Sequence, residues 1–318
     1  LAVATMIICA VGVFIDIAVI TVAPIALAIG ERAGLSKSGI LLAMIGGGKA
    51  GNIVSPNPNT IAVTEAFKLD LTAVMMKNLI PALCALIATI VLASLLSKKA
   101  GDGISQNDLE AAPAEKLPNA LQAFAGPLTV IVLLALRPLA KISVDPLIAL
   151  PLGGLVCILV TGNIRNLIPY TDFGLSKVIG VAILLIGTGT IAGIIKASAL
   201  QKDMTTLLSA MNMPAFILAP LSGILMAAAT ASTTAGSTVA SQTFSGTLLA
   251  AGVPALSAAA MIHAGATVLD SLPHGSFFHA TGGSVYMDIK NRMKLIPFEA
   301  LIGLTSTIVA VILYLVTA

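Results

Sequence analysis

The sequence has little charge and few aromatic residues. Among its 318 residues, charged side chains make up 10% and aromatic ones 4%, and tryptophan does not occur. A soluble globular domain carries about 25% charged residues, so a surface of ordinary composition in water is excluded. The basic residues do not cluster among aromatic ones, so no nucleic-acid partner is expected.

Cysteine is scarce as well. Cys9, Cys84 and Cys157 lie in separate apolar stretches without a CxxC spacing, so neither a disulfide framework nor a cysteine metal site is indicated. A GxSxG motif, which would mark a serine nucleophile, is also missing. We therefore expect no catalytic residue, no metal and no cofactor, and we do not interpret the chain as an enzyme.

Long apolar runs are what the sequence does contain. Hydrophobic residues make up 57% of the chain, and the mean hydropathy is +1.03. Several runs approach or exceed the roughly 18 residues that cross a hydrocarbon core. The sequence thus predicts an all-α polytopic membrane protein in a lipid bilayer, and the runs are Leu79–Leu96, Phe124–Leu136 with its flanks, Pro146–Thr161, Val178–Ile195 and Ile296–Ala318.

A polar stretch divides the chain. Acidic and basic residues lie among Gly, Pro and Ala from 98 to 119, which predicts a solvated linker. We assign residues 1–97 to the C-terminal part of a first repeat and residues 120–318 to a second repeat. The chain begins inside an apolar run without a basic leader, so an N-terminally truncated fragment is expected.

The two parts match each other almost in register. Both contain apolar segments that Gly, Pro and polar residues interrupt, and such segments are the best sequence indication of the binding site of a secondary transporter. Placing Lys98 and Lys99 in the cytoplasm puts most basic residues inside and makes the repeats run in opposite directions. The matches are Ala33-Gly34 with Ala251-Gly252, Met44-Ile45 with Met261-Ile262, Pro56 with Pro273, and Leu79-Ile80-Pro81 with Leu295-Ile296-Pro297.

Each repeat is predicted to hold a re-entrant hairpin and a broken helix. The hairpins are residues 1–31, with arms around Phe14-Ile15-Asp16, and residues 214–250. The first broken helix is interrupted at 55–59, where two prolines remove backbone donors and Asn57 and Asn59 can replace them. An ordinary loop outside the membrane is the alternative for this segment.

Lys49 precedes the first interruption among glycines. An intramembrane cation is a candidate site residue by default, and it could bind a substrate carboxylate or pair with Asp16 or Asp270. A lysine that extends to the membrane surface is the alternative. Asp16 and Asp270 are the two acids that we place within the membrane, and either could be the coupling carboxylate.

Polar side chains also cluster in the second repeat. Hydroxyl groups at the tip of the second hairpin could bind a carboxylate or a hydroxyl, although they could equally pack helices together. The histidines follow at 263, 274 and 279 without an HExxH spacing, so proton transfer is favoured over metal binding and over simple capping. The candidates are Ser232, Thr233, Thr234 and Ser237 on the hairpin, and His263, Asp270, Ser271 and His274 at the second break.

Three motifs identify a resemblance. They are GGGKAGNIVSPNPNTIA (46–62), TASTTAGSTVASQ (230–242) and HAGATVLDSLPHGSFFHATGGSV (263–285), and they resemble GntP-type permeases, the gluconate:proton symporter family of the ion transporter superfamily. The resemblance implies a bacterial inner-membrane protein with two inverted repeats, a scaffold beside a transport domain, and a homodimer.

The resemblance also implies a substrate class and a site. Members carry sugar acids and related small hydroxycarboxylates, typically with a proton. Where gluconate permeases have His-Val-Asn-Asp-Ser, this chain has Asp270-Ser-Leu-Pro-His-Gly, so gluconate and a shorter hydroxy acid such as 3-hydroxybutyrate or glycerate both stay open. The implied substrate residues are Asn57, Asn59, Ser232, Thr233, Thr234, Ser237, Asp270, Ser271 and His274.

One further hypothesis is a cation/proton antiporter of the same superfamily. It requires Asp16 or Asp270 and makes the hydroxyl groups of the second hairpin dispensable. The proton-coupled importer of a small organic anion instead requires both the acid and the hydroxyl groups.

Overall fold

The computed structural model describes residues 1–99, 103–105, 108, 119–140, 142, 144–199, 202–203, 206, 210 and 213–317. Helices account for the regular structure of these residues, which contain no β-strand and a single isolated bridge between Ser36 and Gly103. The helices form two compact units, residues 1–111 with 187–318 and residues 112–186, and the boundary falls within a helix. These two units are not the two predicted repeats, whose boundaries at 97 and 120 stay a prediction.

Two sets of helices in the larger unit follow the same order. Each set has a helix pair, an interrupted helix, a short helix and a long apolar helix. The first set is α1 (Ala2–Ala10), α2 (Ile15–Ala33), α3 (Lys37–Asn52), α4 (Pro58–Phe67), α5 (Leu71–Lys77) and α6 (Leu79–Lys99). Between the sets lie α7 (Ala120–Ala140), α8 (Pro146–Val160) and α9 (Leu167–Ala197). The second set is α10 (Leu218–Thr230), α11 (Thr233–Ala250), α12 (Ala255–Gly265), α13 (Ser276–Gly283), α14 (Ile289–Met293) and α15 (Ile296–Thr317). That the two sets have opposite orientations in the membrane stays a prediction.

Long apolar helices confirm an all-α membrane protein. Within the described residues, α6 and the segment that ends in α15 are long and apolar enough to cross a bilayer, and shorter apolar helices occur in α7, α8, α10 and α12. The face of α6 that carries Ile87 and Leu95 is exposed by 61% and 54%. Such a surface suits lipid and would be costly in water.

Helix ends follow from local sequence. The Ser36 hydroxyl accepts a hydrogen bond from the Gly39 amide and begins α3, and the Asn57 side chain accepts one from the Thr60 amide and begins α4 with Pro58 in its first turn. Gly34, with φ 63°, ends α2 in the left-handed conformation.

One local prediction was wrong. We placed the turn of the first hairpin at Phe14-Ile15-Asp16, but the turn is at Gly12, whose φ is 118°, and Asp16 lies in the first turn of α2. Most of the predicted linker at 98–119 and of the segment 198–213 lies outside the described residues, although Lys98 and Lys99 belong to α6.

One described residue of the linker contacts the start of α3. Asp108 accepts a hydrogen bond of 2.7 Å from Lys37, which lowers the pKa of its carboxyl to about 2. This contact contributes to stability at pH values above the ordinary range of an aspartate and is lost as the pH falls toward 2. The pair lies near the surface, so its contribution is small.

The helix pairs pack across the two sets. Helix α11 contacts α4, and α2 contacts α13, so each pair reaches the second half of the other set's interrupted helix. Within each set, the first helix of the pair approaches the interrupted helix at glycine. A Cβ on Gly47 would collide with the Ala2 carbonyl, and one on Gly265 would lie 2.5 Å from the Pro220 carbonyl. These glycines allow backbone to pack against backbone.

We expect Gly47→Ala and Gly265→Ala each to destabilise the protein by about 1–3 kcal/mol, because the new methyl group overpacks a helix contact. Gly246→Ala is the matched control, since Gly246 is helical and a Cβ there meets nothing within 4 Å; alanine's higher helix propensity should leave that variant equally or more stable. Thermal unfolding in detergent, followed by circular dichroism, measures the difference. Equal melting temperatures for all three variants would contradict this packing.

Candidate functional site

A lysine joins the two interrupted helices. Lys49 lies in the last turn of α3, and its side chain reaches the interruption between α12 and α13. There its ammonium donates to the Thr267 carbonyl and to Asp270 Oδ1, both at 2.6 Å. The two charged side chains are 1% and 3% exposed. The contact therefore connects one set of helices to the other through a fully buried ion pair.

Asp270 accepts hydrogen bonds from two hydroxyl groups as well. Thr233, the first residue of α11, donates to Oδ2 at 2.6 Å, and Ser271 donates to Oδ1 at 2.9 Å. A buried carboxylate is costly unless it is paired and hydrogen-bonded. These donors, with Lys49, satisfy that requirement.

Asparagine side chains fill the first interruption. Asn52 Oδ1 accepts from the Nδ2 groups of Asn57 and Asn59, the latter at 3.0 Å. Asn57 Nδ2 also donates to the Asn52 carbonyl at 2.9 Å, and Thr60 donates its hydroxyl to the Ser55 carbonyl at 2.7 Å. Side chains thus replace the backbone hydrogen bonds that Pro56 and Pro58 cannot supply.

The start of α11 connects both interruptions. Thr234 donates to Asn59 Oδ1 at 2.5 Å, whereas its neighbour Thr233 donates to Asp270. Since Lys49 and Asn52 lie on the same helix, the contacts close into a ring that runs through α3, the Asn59 side chain, α11 and Asp270. We call this set of residues the polar ring: Lys49, Asn52, Asn57, Asn59, Thr233, Thr234, Asp270 and Ser271.

Helix ends favour both charges of the polar ring. The Lys49 ammonium lies at the C-terminal end of α12, where it meets the Thr267 carbonyl, and this end of a helix attracts cations. The Asp270 carboxylate lies at the N-terminal end of α11, which attracts anions. The Lys49 ammonium and the N-terminal end of α11 therefore both stabilise an anionic group at the position of Asp270.

Several predicted site residues lie outside the polar ring. Ser232 caps α11 by accepting from the Ala235 amide, and Ser237 donates to the Thr234 carbonyl at 3.3 Å. Asp16 accepts from the adjacent Ile17 amide, and the ion pair of Lys49 is with Asp270 instead. His274 is exposed. The structure thus assigns Ser232 and Ser237 contacts within α11, and the functional roles of all these residues stay predictions.

His263 differs from the other histidines. Its side chain on α12 is completely buried, and neither ring nitrogen has a hydrogen-bond partner among the described residues. His279, by contrast, is hydrogen-bonded to the Pro273 carbonyl at 2.8 Å. In the described part of the chain no three His, Cys, Asp or Glu side chains converge.

Sequence reasoning missed a second buried ion pair. Arg292 on α14 forms a salt bridge with Glu299 in the first turn of α15, contacts the Thr281 hydroxyl at 3.2 Å and stacks on Phe278 at 4.8 Å. We counted only Asp16 and Asp270 as acids within the membrane, yet Glu299 is buried as well, together with Arg292. Arg292 and Glu299 are seven residues apart, on either side of Leu295-Ile296-Pro297, and this arrangement gives no sequence signal of burial.

Asn52 was also missed as a site residue. It follows Lys49 by three residues and so lies on the same face of α3. That spacing was visible in the sequence, but its partners Asn57 and Asn59 return to it only because the chain turns at the prolines.

The chain is similar to a curated bacterial protein. It is 58% identical over 314 residues to an uncharacterized transporter of Haemophilus influenzae (strain ATCC 51907 / DSM 11121 / KW20 / Rd), and the match covers 99% of this chain and 75% of the relative. No family model matches the chain. No solved structure matches it either.

A double-mutant cycle tests the ion pair of the polar ring. Asp270→Asn and Lys49→Met should each cost about 3–5 kcal/mol, because each leaves one buried group without its partner. The double variant should lose far less than the sum of the two, since neither charge then remains. Chemical denaturation in detergent gives the coupling free energy.

The partly buried pair Lys37–Asp108 supplies the control for that cycle. Lys37→Met and Asp108→Asn, alone and together, should show coupling below about 1 kcal/mol. A coupling between Lys49 and Asp270 no larger than this value would contradict the buried pair.

Proposed function

The chain belongs to the family of the Haemophilus influenzae transporter, and we propose on that basis that it is a secondary active transporter that carries a small hydroxycarboxylate together with a proton. Gluconate or a shorter hydroxy acid is the proposed substrate, and the bacterial inner membrane is the proposed location. The observation that carries the proposal is the buried Lys49–Asp270 pair at the junction of two interrupted helices. The motif resemblance to gluconate:proton symporters supports it further.

The polar ring already binds a carboxylate, namely that of Asp270. Lys49, Thr233 and Ser271 donate hydrogen bonds to it, and the N-terminus of α11 faces it. A substrate carboxylate has the same charge and the same acceptor geometry, so it can replace Asp270 on Lys49. Asn57, Asn59 and Thr234 are placed to bind the remaining polar groups of the substrate.

The replacement requires a proton. Two carboxylates beside one ammonium would leave a buried negative charge unpaired, and a protonated Asp270 without a substrate would leave Lys49 unpaired. The buried charges balance in two states, the Lys49–Asp270 ion pair without substrate and a protonated Asp270 with a bound anion on Lys49. Substrate and proton therefore bind together, which is the requirement for symport.

Other candidates have supporting roles in this proposal. His263 is buried in α12, three residues before the Ala266 turn that leads to Asp270, and it is a candidate for proton delivery. His274 and Asp16 are more exposed and are candidates for the aqueous ends of that route. A homodimer is the proposed assembly.

Charge balance predicts electroneutral transport. A monovalent anion and one proton together carry no net charge. A proton gradient directed into the vesicles should therefore drive uptake by the full-length protein in proteoliposomes, whereas a membrane potential at equal pH should not. Labelled gluconate, 3-hydroxybutyrate and glycerate, each with potassium and valinomycin to set the potential, test this expectation. Uptake driven by the potential alone would refute one-to-one symport, and absence of gradient-driven uptake for every acid would refute the function.

Asp270→Asn should separate binding from coupling. The neutral amide mimics a protonated Asp270, so the variant should exchange labelled for unlabelled substrate across the membrane but fail to accumulate it in a pH gradient. Glu65→Gln is the control, because Glu65 is an exposed carboxylate on α4. Accumulation that persists in Asp270→Asn would show that another group carries the proton.

The same assay distinguishes the proposed symporter from a cation/proton antiporter. Thr233→Val and Thr234→Val should weaken anion uptake by roughly tenfold or more, because each removes a buried hydrogen bond that orders the site. A cation/proton antiporter would keep its activity in both threonine variants and lose it in Asp16→Asn or Asp270→Asn.

A further inference from the structure

Two polar groups at the first interruption have no partner, and we propose that they bind a hydroxyl group of the transported acid. The groups are Asn52 Nδ2 and Ser55 Oγ, which lack a hydrogen-bond partner among the described residues. Neither residue was among those expected to bind substrate. This inference rests on the proposed function and specifies how a hydroxy acid is distinguished from a plain acid.

The orientation of Asn52 is fixed by its neighbours. Its Oδ1 accepts from the amide groups of both Asn57 and Asn59. Exchanging oxygen and nitrogen would point an N–H group at two other N–H groups, so the assignment follows from the hydrogen-bond network. The side chain, 1% exposed, therefore presents a free N–H donor to the interior.

Ser55 presents a free hydroxyl three residues later. The residue is completely buried, and its carbonyl accepts from Thr60, but its hydroxyl makes no such contact. A buried donor without a partner destabilises a folded protein, so two at one interruption indicate a ligand that supplies acceptors.

Lys49 and Asn52 lie on one face of α3, three residues apart, so their Cβ atoms are about 5–6 Å apart. The Lys49 side chain extends from there to Asp270, whereas Asn59 and Thr234 link Asn52 to the start of α11. We therefore place the carboxylate of the acid at Lys49 and a hydroxyl group farther along its chain at Asn52 and Ser55.

A metal cation does not fit the same groups. The free atom of Asn52 is an N–H donor, and the side-chain oxygens of Asn52, Asn57 and Asn59 already accept hydrogen bonds. Cations such as Na⁺ or Ca²⁺ are bound by oxygen ligands. A hydroxyl can accept from Asn52 and exchange a hydrogen bond with Ser55, so it matches both groups.

Paired substrates and a single deletion test the inference. Lactate with propionate, and 3-hydroxybutyrate with butyrate, differ only by the hydroxyl. Their inhibition constants against labelled 3-hydroxybutyrate are measured for the full-length protein and for Ser55→Ala, which leaves the Ser55 carbonyl in place. The wild type should prefer the hydroxy acids, and Ser55→Ala should weaken hydroxy-acid binding by roughly 5- to 10-fold while plain acids bind as before.

Ser306→Ala is the matched control, because the buried Ser306 hydroxyl donates to the Gly303 carbonyl within α15; it should leave all four constants unchanged. Equal loss for both members of a pair in Ser55→Ala, or no preference in the wild type, would overturn the inference while the proposed function stands. No uptake of any acid by the wild type would overturn the proposed function and, with it, this inference.

Discussion

The buried ion pair between Lys49 and Asp270 is the contact on which the rest of the larger unit depends. It joins the end of α3 to the interruption after α12, at a depth where an unpaired charge is very costly. Replacing such a pair by apolar residues is often neutral or stabilising for a fold. In the proposed function the two charges serve to exchange the Asp270 carboxylate for that of the substrate.

The two interruptions have different chemistry although they occupy equivalent positions in the two sets of helices. The second contains the carboxylate of Asp270, whereas the first contains amides that are neutral at every pH. Thr233 and Thr234 at the start of α11 contact one each. In the proposed function, charge and proton belong to the second interruption, and the neutral part of the substrate binds at the first.

Much of the fold could be predicted from the sequence, because hydropathy and proline act locally. The apolar run at Leu79–Leu96 became α6, and the prolines at 56 and 58 separate α3 from α4. The burial of Glu299 could not be predicted, because it depends on Arg292 returning from a neighbouring helix. The free amide of Asn52 was invisible for the same reason: whether a side chain is paired depends on contacts that only the folded chain creates.

Proton uptake on substrate binding distinguishes exchange of the Asp270 carboxylate from binding of the anion alone. Substrate is added to the full-length protein in detergent and weak buffer, at a pH where the substrate-free protein holds the Lys49–Asp270 ion pair. The pH change is recorded against the amount of substrate bound. The account predicts that about one proton is taken up for each anion bound, and that Asp270→Asn takes up none while still binding. Anion binding without proton uptake in the wild type would contradict it.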